Sequence, residues 1–275
     1  MSGTVGKAAA PLLVCAFWFP LAGCEPVGEP IVLRIRQRSA VEVVDGGARR
    51  LNCEQSALLP GTIALYCFEE EEIYDRVSDS TGDHHGTITG TKARRTKGPL
   101  GLGMALRFTD TNFSTYVEIP DSEAWELEKG SISFWLRTDT CSDDSQGIVS
   151  RDARHQDSPG HLGIRLSADC DWSVSSEGGS DQVRVQSIEP LVPDRWSQVA
   201  VNFGPPDLEL YLDGRLTGKE AVAWGIAGNS NPWVIGADLR GSDEGSAVPP
   251  ADFLRGAAVD LLRISSERVS FPDLE

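Results

Sequence analysis

Hydrophobic and polar residues alternate along this chain with a period of two, most plainly between Asp194 and Gly214. Leu208, Leu210 and Leu212 fall on one side of an extended segment, and Asp207, Glu209, Tyr211 and Asp213 fall on the other. Ser197, Val199, Val201 and Phe203 alternate in the same way with Gln198, Ala200 and Asn202. A helical period of 3.6 fits neither run. The Gly204-Pro205-Pro206 break predicts an antiparallel hairpin, and Asp213-Gly214 predicts the next tight turn, because glycine tolerates positive φ. From Thr62 onward, strand-like runs recur at intervals of roughly eight to twelve residues, separated by Gly, Pro, Asp and Ser. This pattern predicts an all-β sandwich of two antiparallel sheets. Ile132, Phe134, Leu136, Val199, Val201, Leu208, Leu210 and Leu212 are expected to fill the space between them. Burying each such side chain is worth about 1.5–3 kcal/mol.

The N-terminus has a different pattern. Met1 to Lys7 carries one positive charge, and Ala8 to Leu21 is almost wholly apolar but short for a membrane span. Residues 1–23 therefore read as a secretory signal. They end in Leu21-Ala22-Gly23-Cys24, which resembles the bacterial lipobox. The resemblance implies that Cys24 is lipidated and becomes the mature N-terminus, so that the protein is anchored to the cell envelope without crossing a membrane. Glu25, where an Asp would signal inner-membrane retention, leans toward the outer membrane, on its periplasmic or surface face. Residues 24–60 read as a lipidated N-terminus and tether. Glu25 to Pro30 is rich in Pro, Gly and Glu, Ile31 to Gln37 alternates like an edge strand or hairpin arm, and Gly46-Gly47 breaks the pattern. Residues 61–275 form the folded domain. With Cys15 in the signal and Cys24 lipidated, Cys53, Cys67, Cys141 and Cys170 remain for an oxidising compartment. Three pairings exist. Local closure favours Cys53–Cys67 and Cys141–Cys170, and no Cys-x-x-Cys spacing suggests zinc or redox chemistry.

Several segments of the domain look alike to one family. The stretch Trp196-x-x-Val199-Ala200-Val201, a loop, then Leu208-x-Leu210-Tyr211-Leu212-Asp213-Gly214 resembles the central hairpin of the laminin-G-like, concanavalin A-like lectin and glucanase jelly rolls. Gly103–Phe108 and Tyr116–Pro120 resemble the family's early strands, and Ser131–Arg137 resembles its Phe-Thr-Ile-Ser-Phe-Trp-Val strand. Trp233–Gly236 and Gly256–Ile264 resemble its last two strands. The loop Asp79-Ser80-Thr81-Gly82-Asp83-His84-His85-Gly86 resembles a family loop with one residue deleted. The resemblance implies a two-sheet jelly roll. It also implies a structural calcium ion between that loop and a final-strand carboxylate, with Asp79, Asp83 and Asp260 as candidate ligands. Read from the residues alone, Asp260 shares a strand face with Leu262 and Ile264 and should point inward. A buried carboxylate needs compensation, either from calcium at about 2.4 Å or from backbone N–H groups or an Arg.

Composition narrows the function. The formal charge of −16 over 275 residues argues against nucleic acid as a partner. No repeat array, phosphate loop, dinucleotide fingerprint, Gly-x-Ser-x-Gly or paired-His zinc motif occurs, and His84 and His85 fit a turn. Asp207, Glu209 and Asp213 line one strand face, but neither they nor Glu126-Leu127-Glu128 match the catalytic pattern of jelly-roll glucanases. Among the tryptophans, Trp135 and Trp196 match core or rim positions. Trp172 and Trp224 lie in variable regions and are candidates for stacking on a sugar ring, with Asp152–His161 and Gly241–Pro250 as candidate rims. The resulting expectation is a non-catalytic, envelope-anchored binding domain for a glycan or protein ligand. The alternatives are a jelly-roll glycoside hydrolase acting on polysaccharide and a structural envelope-assembly module.

Overall fold

The chain is seen here as a computed structural model that describes residues 59–270 except 71–74, 91–92, 102, 110, 112–113, 142–143, 152–158 and 239–249. Glu42–Val43, Arg49–Arg50, Cys53 and Ser56 are also described. Cys24 and the alternating run Ile31–Gln37 lie outside the described residues, as do most of the two candidate rims. Strands are numbered in chain order. Strands β1 (Glu42–Val43) and β2 (Arg49–Arg50) form a small ribbon of their own. Then follow β3 (Thr62–Tyr66), β4 (Arg76–Val77), β5 (Gly86–Thr89), β6 (Ala93–Lys97), β7 (Met104–Phe108) and β8 (Tyr116–Ile119). Next come β9 (Gly130–Thr138), β10 (Gln146–Arg151), β11 (Pro159–Leu166), β12 (Trp172–Gly178) and β13 (Asp181–Gln186). The last five are β14 (Ser197–Phe203), β15 (Asp207–Leu212), β16 (Arg215–Ala221), β17 (Trp233–Ile235) and β18 (Ala257–Ser265).

These strands build two antiparallel sheets of eight. One runs β16-β15-β14-β9-β18-β7-β6 with β3 beside β18; the other runs β13-β12-β11-β10-β17-β8-β5-β4. The expected hairpin is β14–β15, with Val199 opposite Leu212 and Val201 opposite Leu210, so both apolar sets face the same way. Asp213 and Gly214 take φ of 51° and 81°, the paired positive values of a tight hairpin turn. Along each strand the alternate residues meet between the sheets. Phe134, Phe203, Leu208, Ile164, Trp172 and Trp233 all belong to one buried cluster.

Strand β18 is the centre of its sheet. One edge pairs with β9 along its length. The other edge pairs first with β7, through Ala257–Val259, and then with β3, through Leu262–Ser265. At the handover, two residues of β18, Leu261 and Leu262, stand where β9 has one, Phe134, and Leu261 takes a φ of 48°. This bulge corrects the expected face of Asp260. An extra residue reverses the alternation, so Asp260 lies opposite Trp135 while Leu262 and Ile264 enter the core. Trp135 and Leu261 belong instead to a second apolar cluster with Leu65 and Cys67, bordered by Cys53 and Trp196. Disulfides join Cys53 to Cys67 and Cys141 to Cys170, as local closure suggested.

Candidate functional site

Where the edge strands β13 and β16 meet, the surface sinks into an open hollow of about 470 Å³. Trp224, three residues beyond β16, lines it together with Val183, Val222, Asp181 and Gln182. Two contacts fix the indole. Its N–H donates to Ser176 Oγ at 3.0 Å. Its ring lies against the Gly178 backbone so closely that a Cβ there would stand 2.3 Å from Trp224 Cδ2. Only glycine permits that approach, so Gly178 is part of the ring's seat. An aromatic held in one orientation, an apolar floor from Val183 and Val222, and a polar rim from Asp181 and Gln182 suit the C–H face and hydroxyls of a sugar.

The other residues singled out from sequence fall elsewhere. Trp172 begins β12 and is 1% exposed, packed between the sheets, so its ring has no free face to offer. It points inward because Trp172, Val174 and Ser176 alternate with Ser173 and Ser175 on the outer face. The candidate rim Asp152–His161 ends inside β11, whose residues Pro159–His161 are paired with β12. His84 rests its ring on Trp125 at 4.4 Å, and His85 Nδ1 accepts the Asp79 N–H.

The three proposed calcium ligands do not form a shared site. Asp79 is a hub for protein donors. Its Oδ1 accepts from the N–H groups of Leu65 and Thr81, and its Oδ2 accepts from Thr81 Oγ1 and from the N–H groups of Asp83 and His84. Burial pushes this carboxyl up, but the hydrogen bonds from Thr81, Leu65 and His84 outweigh it and hold the group below its ordinary range. A carboxylate filled by N–H and O–H groups has no oxygen left to give a cation, so the donor set does not fit calcium. Asp83 is exposed, and Asp260, fully buried, accepts the Leu261 N–H within its own bulge. Among the described residues, no group of three His, Cys, Asp or Glu side chains is placed to hold a metal ion.

The carboxylate row on β15 is tied into ion pairs. Glu209 accepts from Asn202, Arg268, Lys219 and Tyr211 at 2.8–3.1 Å. Burial raises its carboxyl, yet these four donors win and lower it to about 2. Asp207 pairs with Lys219 at 2.8 Å. Asp213 pairs with Arg195 at 2.9 Å and accepts the Gln198 N–H. A general acid needs a raised pKa in a cleft, and Glu209 is shifted the opposite way.

With that geometry in view, the comparisons place the chain. A family model of the concanavalin A-like lectin/glucanases superfamily matches residues 110–268, more than half of the sequence. The chain belongs to this superfamily. The match begins after β7 and runs through β18. Among solved structures, domain 4 of AbnA, an extracellular GH43 arabinanase from Geobacillus stearothermophilus in complex with arabinotriose, aligns with a TM-score of 0.55 at 18% identity. That alignment covers 74% of this chain and 91% of the domain. Trypanosoma rangeli sialidase aligns at 0.53 and 11% identity, over 76% of this chain and 31% of its own. A structure of botulinum neurotoxin type C, whose cell entry depends on two ganglioside molecules, aligns at 0.54 and 12%, over 78% and 50%. This chain thus spans half or less of the sialidase and neurotoxin chains, and at these identities the likeness concerns the fold. No curated protein sequence matches.

Two features of this superfamily member escaped the sequence reading. Arg151 ends β10 pointing inward, fully buried. It donates to the carbonyls of Trp125, Ile226, Asn229 and Asn231 and to Asp121 Oδ1, fastening two loops to one end of the sandwich. Burial lowers its pKa while Asp121 and Glu126 oppose the shift. On the outer face of the second sheet, His161 Nε2, Ser175 Oγ and Asp238 Oδ1 converge within 3.7 Å of where a Gly163 side chain would begin. There Arg165 and the buried Asp238 form an ion pair. The alternation of His161, Gly163 and Arg165 against Leu162, Ile164 and Leu166 was the available sign.

Proposed function

We propose that the chain is a non-catalytic carbohydrate-binding domain, held at a bacterial cell envelope by a lipid on Cys24, and that the sugar rests on Trp224. The observation that supports this reading is the fixed indole: one face seated on Gly178, its N–H held by Ser176, and an open hollow with a polar rim beside it. A ring immobilised before binding loses little freedom when a sugar stacks on it. The fold's occurrence in a domain solved with arabinotriose and in a ganglioside-dependent toxin is consistent with that use. The ion-paired carboxylates of β15 favour binding over turnover.

The test is a titration of the purified full chain against a panel of oligosaccharides, followed by tryptophan fluorescence and calorimetry, in calcium and in EDTA. At least one sugar should bind equally in both buffers, and Trp224→Ala should weaken it about ten-fold or more. No release of reducing ends from the matching polysaccharide should be seen. Binding indifferent to Trp224→Ala would remove the hollow from the reading, and turnover abolished by Glu209→Gln would replace it with a hydrolase.

A further inference from the structure

We propose that the Trp224 hollow admits neutral sugars and turns away anionic ones, an inference that rests on the carbohydrate reading above. Its lining residues include a carboxylate, Asp181, and an amide, Gln182, and none carries a positive charge. The Gln182 amide nitrogen is already directed to Glu177 Oε1 at 2.6 Å, which places a second carboxylate beside the rim and leaves the amide's carbonyl oxygen as its acceptor. The cations nearest in sequence to the lining residues are Arg184, whose guanidinium donates to Ser173 Oγ on β12 at 3.2 Å, and Lys219, engaged by Asp207 at 2.8 Å and by Glu209 at 3.1 Å. The rim therefore offers acceptors. Sugar hydroxyls donate to acceptors while the ring's C–H face lies on the indole. A uronate or sialate carboxylate would meet Asp181 and Glu177 with no arginine or ammonium among the lining residues to receive it, and like charges at that range repel. The chain's net charge of −16 acts in the same direction at longer range.

Asp181 is exposed at the start of an edge strand, so changing it leaves the packing intact. The full chain is titrated with neutral arabinotriose, xylotetraose and laminaritetraose and with anionic tetragalacturonate and 3′-sialyllactose, at low and at high salt. At least one neutral sugar should bind in a Trp224-dependent way, with the anionic sugars about ten-fold weaker or more. The gap should narrow as salt rises. Asp181→Asn should weaken neutral binding by about three- to ten-fold, and Asp181→Lys should close or invert the gap. Trp224-dependent binding of tetragalacturonate as tight as any neutral sugar, or a ratio unmoved by Asp181→Lys, would overturn the selectivity while leaving the site in place. Binding by no sugar, or binding independent of Trp224, would take down the site itself.

Discussion

Arg151 and Trp224 show how much a single side chain can decide in this sandwich. Arg151 is a fully buried cation whose five donated hydrogen bonds hold the loops around Trp125 and around Ile226 to Asn231. Removing it takes a donor from four carbonyls at the end of the core, that of Trp125 keeping the Leu127 N–H. We expect Arg151→Ala to lower stability by about 3–5 kcal/mol in urea denaturation. Arg151→Lys should recover only part of this, because an ammonium has three donors in place of a planar five. A loss under about 1 kcal/mol would mean that the loops hold themselves. Trp224, by contrast, owes its position to a residue without a side chain. Nothing in the sequence analysis singled out Gly178, and its role appears once the ring is seen lying on it.

At the scale of elements, strand β15 is the clearest case of sequence and structure agreeing on a face and differing on its use. Leu208, Leu210 and Leu212 are buried as the alternation required. Their polar counterparts form a latch in which Glu209 joins Asn202 on β14, Lys219 on β16 and Arg268 beyond β18. Its folded-state pKa, near 2, lies below the ordinary 4.5. The stabilisation is therefore complete above about pH 4.5 and drains away as pH falls toward 2. Glu209→Gln should cost about 1–2 kcal/mol at neutral pH and flatten the stability profile over that acid window. Parallel profiles for the two proteins would show that Glu209 titrates alike in the folded and unfolded chains. Strand β18 departs further from its sequence pattern. Its apolar run gave no sign that the register slips at Leu261, because a bulge depends on which neighbours compete for the strand's edge, here β7 and then β3.

For the molecule as a whole, two sheets of eight strands close over one core, and the second apolar cluster is covered from outside. Ser56 and Leu59, from the stretch read as a tether, line a small hollow with Trp135 and Leu261, and the Cys53–Cys67 disulfide fastens that stretch to β3's end. The proposed envelope attachment belongs to this scale. Expressed with its own N-terminus in a Gram-negative host, the chain should partition with membranes and yield an N-terminal peptide beginning at acylated Cys24. Cys24→Ser should release it to the soluble fraction. Partition unchanged by that substitution would count against the anchor.

The repeating alternation of residues settled the class of this protein by itself, because a period of two with one greasy side can be buried only by closing sheet on sheet. It located the central hairpin, the family resemblance placed five further strands, and local closure of four cysteines was enough to pair them. The strands β10 to β13 were not legible, since Gly147, Gly163, Ser173, Ser175 and Ser176 lack the β-branched bulk by which a strand announces itself. What only the tertiary structure decided was exposure and partnership. Trp172 and Trp224 look alike in sequence, yet one is sealed between the sheets and the other, half-buried, lines an open hollow. Asp79 and Asp260 looked like ligands for a cation, yet Asp79 is taken up by N–H groups of β3 and of its own loop, and Asp260 by the N–H of Leu261. Such outcomes depend on which distant atoms arrive at a side chain, and a linear pattern holds no record of that.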